Sequence, residues 1–272
     1  MTFSVAGTHD GSWGVAVASK FLAVGAAVPA AEVGVGAVAT QAMANLSYRP
    51  AGLRLLHDGH SASETLDALT GADEGRDHRQ AGVVDASGRA ATFTGSACHD
   101  WAGGRAGDGY AVQGNILTGP EVVEAMERTW LERSGDPLPA RLLAVLAAGD
   151  EAGGDRRGRQ SAALLVVRKN GGYGGESDVE VDLRVDDHPD PVPELRRLLD
   201  LHRLYFGKPD PASLLPLEGD LDAEVARRLR TIGFATLADW AGVENYEERM
   251  ADGAIDPLVL DKLREATGPD VP

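Results

Sequence analysis

The order in which the hydrophobic period changes is the strongest constraint on how this chain can fold. Short β-rich runs at 2–8 (TFSVAGT) and 13–20 (WGVAVASK) flank His9-Asp10-Gly11-Ser12, and the Asp-Gly pair predicts a tight hairpin. Residues 33–40 (VGVGAVAT) predict another strand, whose Gly and Ala content implies close approach of a backbone, a sheet or a ligand. Helical spacing then sets in near Pro50 with Leu53, Leu55 and Leu56. Ser61-Ala62-Ser63-Glu64 has the form of a capping box leading into a second helix that ends by Gly71. Strands follow at 80–85 and 89–94 around the turn Ala86-Ser87-Gly88. Thr118-Gly119-Pro120-Glu121 reads as a second capping box, heading a helix with Val122, Val123, Met126 and Trp130 at helical spacing. An apolar helix over 138–148, strands at 161–168 and 179–185, and a helix over 193–204 complete this portion.

Helices grouped between blocks of strands are not the regular alternation of a doubly wound sheet. They predict an α+β layered architecture, accommodated by two sheets face to face with helices outside each. After Tyr205 the texture shifts to a Pro- and Gly-bearing connector, FGKPDPASLLPLEG. Beyond it Leu221, Val225, Leu229 and Ile232 form a helical stripe. Asp256-Pro257 supplies an N-cap with Pro at the first helical position, and Gly268 ends that helix. No strand pattern is evident there. Two domains are therefore expected, residues 1–205 and a small helical domain, residues 206–272. At roughly 65 residues the second has little core of its own. It is expected to dock on the main domain or on a second chain, so a homodimer or higher homo-oligomer is expected.

Charge and composition exclude several classes. A net charge of -16 argues against binding nucleic acid, which needs a basic face. Residues 206–272 hold 14 acidic against 7 basic residues, so the acidity is spread over both parts. No run approaches the roughly 20 apolar residues that span a bilayer, and the first twenty residues lack a basic segment followed by an apolar block. The expectation is a cytoplasmic protein with no membrane partner. The single cysteine, Cys98, excludes an internal disulfide and a Cys-rich zinc site, and it reads as a small buried filler. Asp186, Asp187, His188 and Asp190 cluster in a Pro-bearing turn, but one imidazole among carboxylates makes a poor metal set. No metal and no cofactor are expected.

Thr2 directly follows the initiator Met, and methionine is commonly removed ahead of a small residue. Thr2 would then carry a hydroxyl and a free α-amine on adjacent carbons. The amine has a reference pKa of about 7.7–8.0, close to the value at which a general base works best. A Thr paired with its own amine is an established nucleophile–base arrangement. Elsewhere, His99, Asp100 and Trp101 lie in a turn-rich segment suited to a site wall. Asn115 reads either as an oxyanion donor or as a turn residue. The stretch GGDRRGRQSAAL packs Asp155, Arg156 and Arg159 ahead of an apolar strand. Arginine there suits a substrate carboxylate, or forms structural Arg–Asp pairs in a loop.

The blocks TFSVAG, GVAVASKFLAVGAAVP, GVGAVATQAMAN, ATFTGSACHDWAGG, YAVQGNIL and GGDRRGRQSAALLVV, closed by RVDDHPDP, resemble a known family over about residues 2–205. That family is a bacterial domain-of-unknown-function family grouped with the N-terminal-nucleophile (Ntn) hydrolases. The resemblance implies a four-layer αββα fold, hydrolysis of an amide bond as a class, and Thr2 as nucleophile. Lys20 reads either as a cation favouring the neutral amine by like-charge repulsion or as a solvated lysine at a strand end. The resemblance also implies that residues 40–45 border the nucleophile and supply backbone N–H groups for an oxyanion, to which Gln41 and Asn45 add side-chain donors, although Asn45 also reads as a helix cap. Ser19 stands where proteasome-like relatives have Asp, so the supporting charges differ. LLPLEGDLD and DWAGVENYEERM in the tail resemble a peptidoglycan-binding-type module. The expected function is an amidohydrolase acting on a small amide or N-acyl substrate. The alternatives are a non-catalytic small-molecule-binding protein on the same fold, and an assembly protein acting through the tail.

Overall fold

The computed structural model describes residues 2–269; Met1, whose removal the Thr2 chemistry requires, lies outside the described residues. The fold is mixed α+β, and the chain divides into two compact units, Met1–Arg197 and Leu198–Pro272. The first contains β1 (Thr2–His9), β2 (Ser12–Ser19), β3 (Pro29–Glu32), β4 (Gly36–Ala42), α1 (Tyr48–His57), α2 (Ala62–Gly71), β5 (Arg79–Asp85) and β6 (Ala90–Thr94). It continues through β7 (Gly103–Gly107), β8 (Tyr110–Asn115), α3 (Glu121–Glu132), α4 (Leu138–Glu151), β9 (Ser161–Arg168) and β10 (Val179–Val185). Helix α5 (Pro191–Phe206) runs across the division. The second unit adds β11 (Leu215–Pro216), α6 (Gly219–Thr231), α7 (Leu237–Glu244), β12 (Ala254–Ile255) and α8 (Pro257–Thr267).

The strands form a six-stranded sheet, β10-β9-β2-β1-β8-β7, and a four-stranded sheet, β3-β4-β5-β6, with neighbouring strands antiparallel. The β1–β2 hairpin turns as expected. Asp10 and Gly11 have φ of 46° and 71°, the pair of positive values that matches the twist of the flanking strands. Alternation along each strand sorts its side chains between two faces. Ala6, Val15 and Val17 of one sheet share a buried cluster with Ala37, Ala39 and Val84 of the other. Val38, Ala81 and Val83 turn the opposite way, onto Tyr48 and Leu56 of α1 and Leu66 and Leu69 of α2. Helices α3 and α4 pack on the six-stranded sheet. Glycine admits them: a Cβ on Gly7 would lie 2.6 Å from the Trp130 ring, and one on Gly14 2.9 Å from Leu142.

The capping box ahead of α2 forms, with Glu64 N–H donating to Ser61 Oγ at 3.3 Å and Ser61 N–H to Glu64 Oε2 at 2.8 Å. Its counterpart at Thr118 does not. Pro120 occupies the N-cap of α3 with no side-chain cap, because Thr118 is held by the loop after α4. Its N–H donates to the Gly154 carbonyl at 3.2 Å, and a Cβ on Gly153 would lie 2.4 Å from its hydroxyl. The strand expected over 33–40 starts only at Gly36, after a separate short strand, β3. The β7–β8 pair, not expected from the sequence, completes one edge of the larger sheet.

In the second unit Val225, Leu229, Trp240, Tyr246, Ile255, Leu260 and Leu263 make one core, and Leu221 and Ile232 pack against it as their spacing predicts. The expectation of no strand there is corrected by the two-residue ladder β11–β12. Arg249 is buried and donates through Nε to the Leu204 carbonyl at 2.8 Å, through Nη1 to Asp256 at 2.7 Å, and through Nη2 to the Arg203 carbonyl. Asp256 also caps α8, accepting from Leu258 N–H at 2.8 Å.

Candidate functional site

Thr2 heads β1, the strand flanked on both sides in the six-stranded sheet. It is paired in register with Asn115 of β8, and on the other side it lies one residue beyond the Phe3–Ala18 pair that ends the β1–β2 register. Both its ends are engaged. The hydroxyl lies 3.1 Å from Ser19 Oγ, and the carbonyl accepts from Gln41 Nε2 at 3.2 Å and Asn115 Nδ2 at 3.4 Å. Gln41 and Asn115 thus direct their amides at the Thr2 backbone.

Behind Thr2 the two sheets meet through buried amides rather than apolar side chains. Gln113 Nε2 donates to Ser4 Oγ at 2.7 Å, and Ser4 Oγ donates to Gln41 Oε1 at 2.7 Å. Gln41 Nε2 and Asn115 Nδ2 then converge on Gln80 Oε1, at 2.8 and 2.9 Å. Gln80 Nε2 passes the direction on to the Gly114 carbonyl at 2.7 Å and Thr94 Oγ1 at 2.9 Å. Donors and acceptors run one way along this path, so each amide fixes the orientation of the next. Gln113 Oε1 is buried without a hydrogen-bond partner among the described residues and lies over Gly82, where a Cβ would be 2.1 Å away. Sequence reasoning missed Ser4, Gln80 and Gln113. The available signal was spacing: Thr2 with Ser4, and Gln113 with Asn115, are polar residues two apart on a strand and therefore share a face.

Beside Thr2 lies a cleft of about 470 Å³. Phe3 and Ser19, the chain neighbour and the hydroxyl partner of Thr2, are in its wall. So are Thr118, Asp150, Asp155, Arg156 and Arg159. Asp155 is buried and accepts from Lys20 N–H at 2.8 Å and from Arg157, through N–H at 2.9 Å and Nη2 at 3.1 Å. Arg159 donates to Asp150 at 2.8 Å.

The remaining expected site residues fall elsewhere or are otherwise occupied. Lys20 is exposed, and its ammonium donates to the Arg159 carbonyl at 3.2 Å. Asn45 belongs to a separate cluster: its Nδ2 donates to Asp73 at 3.0 Å, and its Oδ1 accepts from Ser47 N–H at 3.1 Å. Asp73 also accepts from Arg79 at 2.9 Å and from the Tyr48 hydroxyl at 3.0 Å. The Arg79 guanidinium in first place holds the Asp73 carboxyl well below the usual carboxylate range. The 99–101 segment meets the strand exit by its backbone, the His99 and Trp101 carbonyls accepting from Ile116 and Leu117 N–H, both at 3.0 Å. His99 and Asp100 side chains are exposed. Burial pushes the Cys98 thiol up, away from thiolate chemistry. Among the described residues no group of three or more His, Cys, Asp or Glu is arranged to hold a metal ion. No helix among them is long and apolar enough to cross a membrane.

The model of a family of unknown function, DUF1028, matches residues 2–195. The chain belongs to the DUF1028 family. A solved DUF1028 protein from Silicibacter pomeroyi is 31% identical, covering 84% of this chain and 94% of that one, with a TM-score of 0.67. Anbu, the ancestral beta-subunit from Yersinia bercovieri, is 12% identical over 73% of this chain and 93% of that one, and its TM-score of 0.34 carries no weight for the fold. A second model, described as "Putative peptidoglycan binding domain", matches residues 205–263, downstream of the DUF1028 portion. No curated protein matches the chain.

Proposed function

We propose that this DUF1028 protein is an amidohydrolase of the N-terminal-nucleophile type, with Thr2 as nucleophile after removal of Met1. On this reading the two packed sheets and their flanking helices are the αββα sandwich of that class. The observation that carries the proposal is the setting of Thr2. A residue at the head of a strand flanked on both sides has its backbone carbonyl clamped by two buried amides and its hydroxyl 3.1 Å from Ser19, and it is Ser19 and Phe3, its hydroxyl partner and chain neighbour, that line the adjoining cleft.

The chemistry follows from one residue. Thr2 Oγ1 attacks the substrate carbonyl carbon while its proton passes to the α-amine, directly or through water. As the tetrahedral intermediate collapses, the C–N bond breaks, and the leaving amine takes the proton from the ammonium. The ester on Oγ1 is then attacked by water, whose proton goes to the same amine. The carboxylic acid leaves and Oγ1 recovers its proton. Gln41 and Asn115 act as positioning residues, because their amides hold the Thr2 carbonyl.

Intact-mass measurement on untagged protein, followed by treatment with a β-lactone that acylates N-terminal threonine, tests this directly. The expected result is a chain lacking Met1 and labelled once, with no label on Thr2→Ala. Quantitative retention of Met1, or equal amide turnover by wild type and Thr2→Ala, overturns it.

A further inference from the structure

Asp155, Arg156, Arg157 and Arg159 place four charges within five positions of the loop between α4 and β9, and they differ in their partners. The loop is anchored to the segment that follows Asn115: Arg156 N–H donates to the Ile116 carbonyl at 3.1 Å, Thr118 N–H to the Gly154 carbonyl at 3.2 Å, and Leu117 pairs with Asp155 in a β-bridge. Its position is therefore tied to the strand that pairs with Thr2. Within it, Asp155 faces inward and is taken by Lys20 N–H and Arg157. Arg159 is taken by Asp150 at 2.8 Å and approaches Asp190 at 3.6 Å.

Arg156 differs. It lies in the wall of the cleft that contains Ser19, and its guanidinium makes no hydrogen bond or ion pair with any described residue. Arg156 is exposed, so its guanidinium is open to a ligand entering the cleft. The other ionisable groups in the wall are Asp150 and Asp155, which are already paired, Arg159, and Glu151. A planar guanidinium fork suits bidentate capture of a carboxylate, and the cleft volume is within the range of small-molecule sites, roughly 300–1,000 Å³.

We propose that Arg156 is the specificity residue of this cleft, binding a carboxylate on the substrate, so that the preferred substrates are N-acyl amino acids with a free carboxylate. This inference rests on the Thr2 reading for the reaction but not for the binding. No covalent step involves Arg156.

The test compares a panel of N-acetyl amino acids with the corresponding N-acetyl amino acid amides, which differ only in the carboxylate. Wild type is expected to prefer the acids in kcat/KM. Arg156→Ala is expected to reduce that preference by about 10- to 100-fold, the range for a charge-assisted hydrogen bond. The loss appears mainly in KM, and Arg156→Lys retains part of the preference. An acid-to-amide ratio unchanged in Arg156→Ala, in a variant that keeps the wild-type Tm, overturns the proposal. If neither series is hydrolysed, calorimetric titration of the same N-acetyl amino acids decides the subsite alone, and the Thr2 reading is decided separately by Met1 loss and β-lactone labelling. Binding that Arg156→Ala abolishes upholds the subsite. Absence of binding across the panel, or binding indifferent to the substitution, overturns it.

Discussion

Thr2 and Ser19 meet at the end of the β1–β2 ladder with their hydroxyl oxygens 3.1 Å apart, both buried. Either oxygen can donate, so Ser19 can hold the Thr2 hydroxyl in one orientation or take part in moving its proton. In the proposed reaction, Ser19→Ala is expected to lower kcat by about tenfold with a smaller change in KM, since the bond acts on the nucleophile. The pH–rate profile of the wild type should rise with deprotonation of the amine, near its reference range of about 7.7–8.0. A Ser19→Ala enzyme with wild-type kcat would show that the contact is structural.

Gln80 is the acceptor on which Gln41 and Asn115 converge and the donor to the Gly114 carbonyl. Replacing it with leucine keeps the bulk but leaves two buried amides without this acceptor. Gln80→Leu is expected to destabilise the protein by about 2–5 kcal/mol in urea denaturation, the penalty of unsatisfied buried polar groups. It should also loosen Thr2, so labelling by the β-lactone slows in the fraction that remains folded.

Gly7 makes room for Trp130, whose ring would lie 2.6 Å from any Cβ at that position. Trp130 is itself fixed, with the Arg141 guanidinium 3.7 Å over its ring and donating to its carbonyl at 3.0 Å. Gly7→Ala therefore overpacks the contact between the six-stranded sheet and α3. The expected loss is about 1–3 kcal/mol, read as a fall in urea midpoint without a change in slope.

In the second unit, Glu224 accepts from Arg264 and from Arg228, each at 2.8 Å. These two guanidiniums, Arg264 first, lower its pKa from 4.5 to about 2. Between those values the unfolded chain holds a proton that the folded one does not, so stability falls as pH falls through that window. Glu224→Gln is expected to be less stable than wild type at neutral pH, with the difference shrinking steadily below pH 4.5 in thermal melts. A difference that stays constant down to pH 2 would contradict the assignment.

What the sequence revealed of this fold depended on whether a local signal met local competition. Asp10-Gly11 and Ser61–Glu64 act within a few residues, and both form the expected turn and cap. Thr118 carries the same pattern as Ser61, but a loop more than thirty residues away claims it. β7, with the sequence GGRAG, has none of the β-branched or aromatic residues that mark a strand; it forms because β8 offers an edge. The site divides the same way. Of the candidate residues, Thr2 stands out by chemistry carried on one residue, Asn115 by its place ahead of the Thr118 turn, and Gln41 through the family resemblance. Gln80 does not, since a glutamine beside an arginine at a strand start reads as solvent-facing until a second sheet covers it.

Arg249 also bears on how this gene could be cut and rejoined. Two of its acceptors, the carbonyls of Arg203 and Leu204, belong to the last turns of α5, whereas the third, Asp256, starts α8. A fusion joint placed in the Pro-bearing stretch after Phe206 would separate a buried guanidinium from the helix end that solvates it. A transplantable second module therefore begins no later than Leu198, and recombination between relatives is expected to respect that joint rather than the proline-rich one.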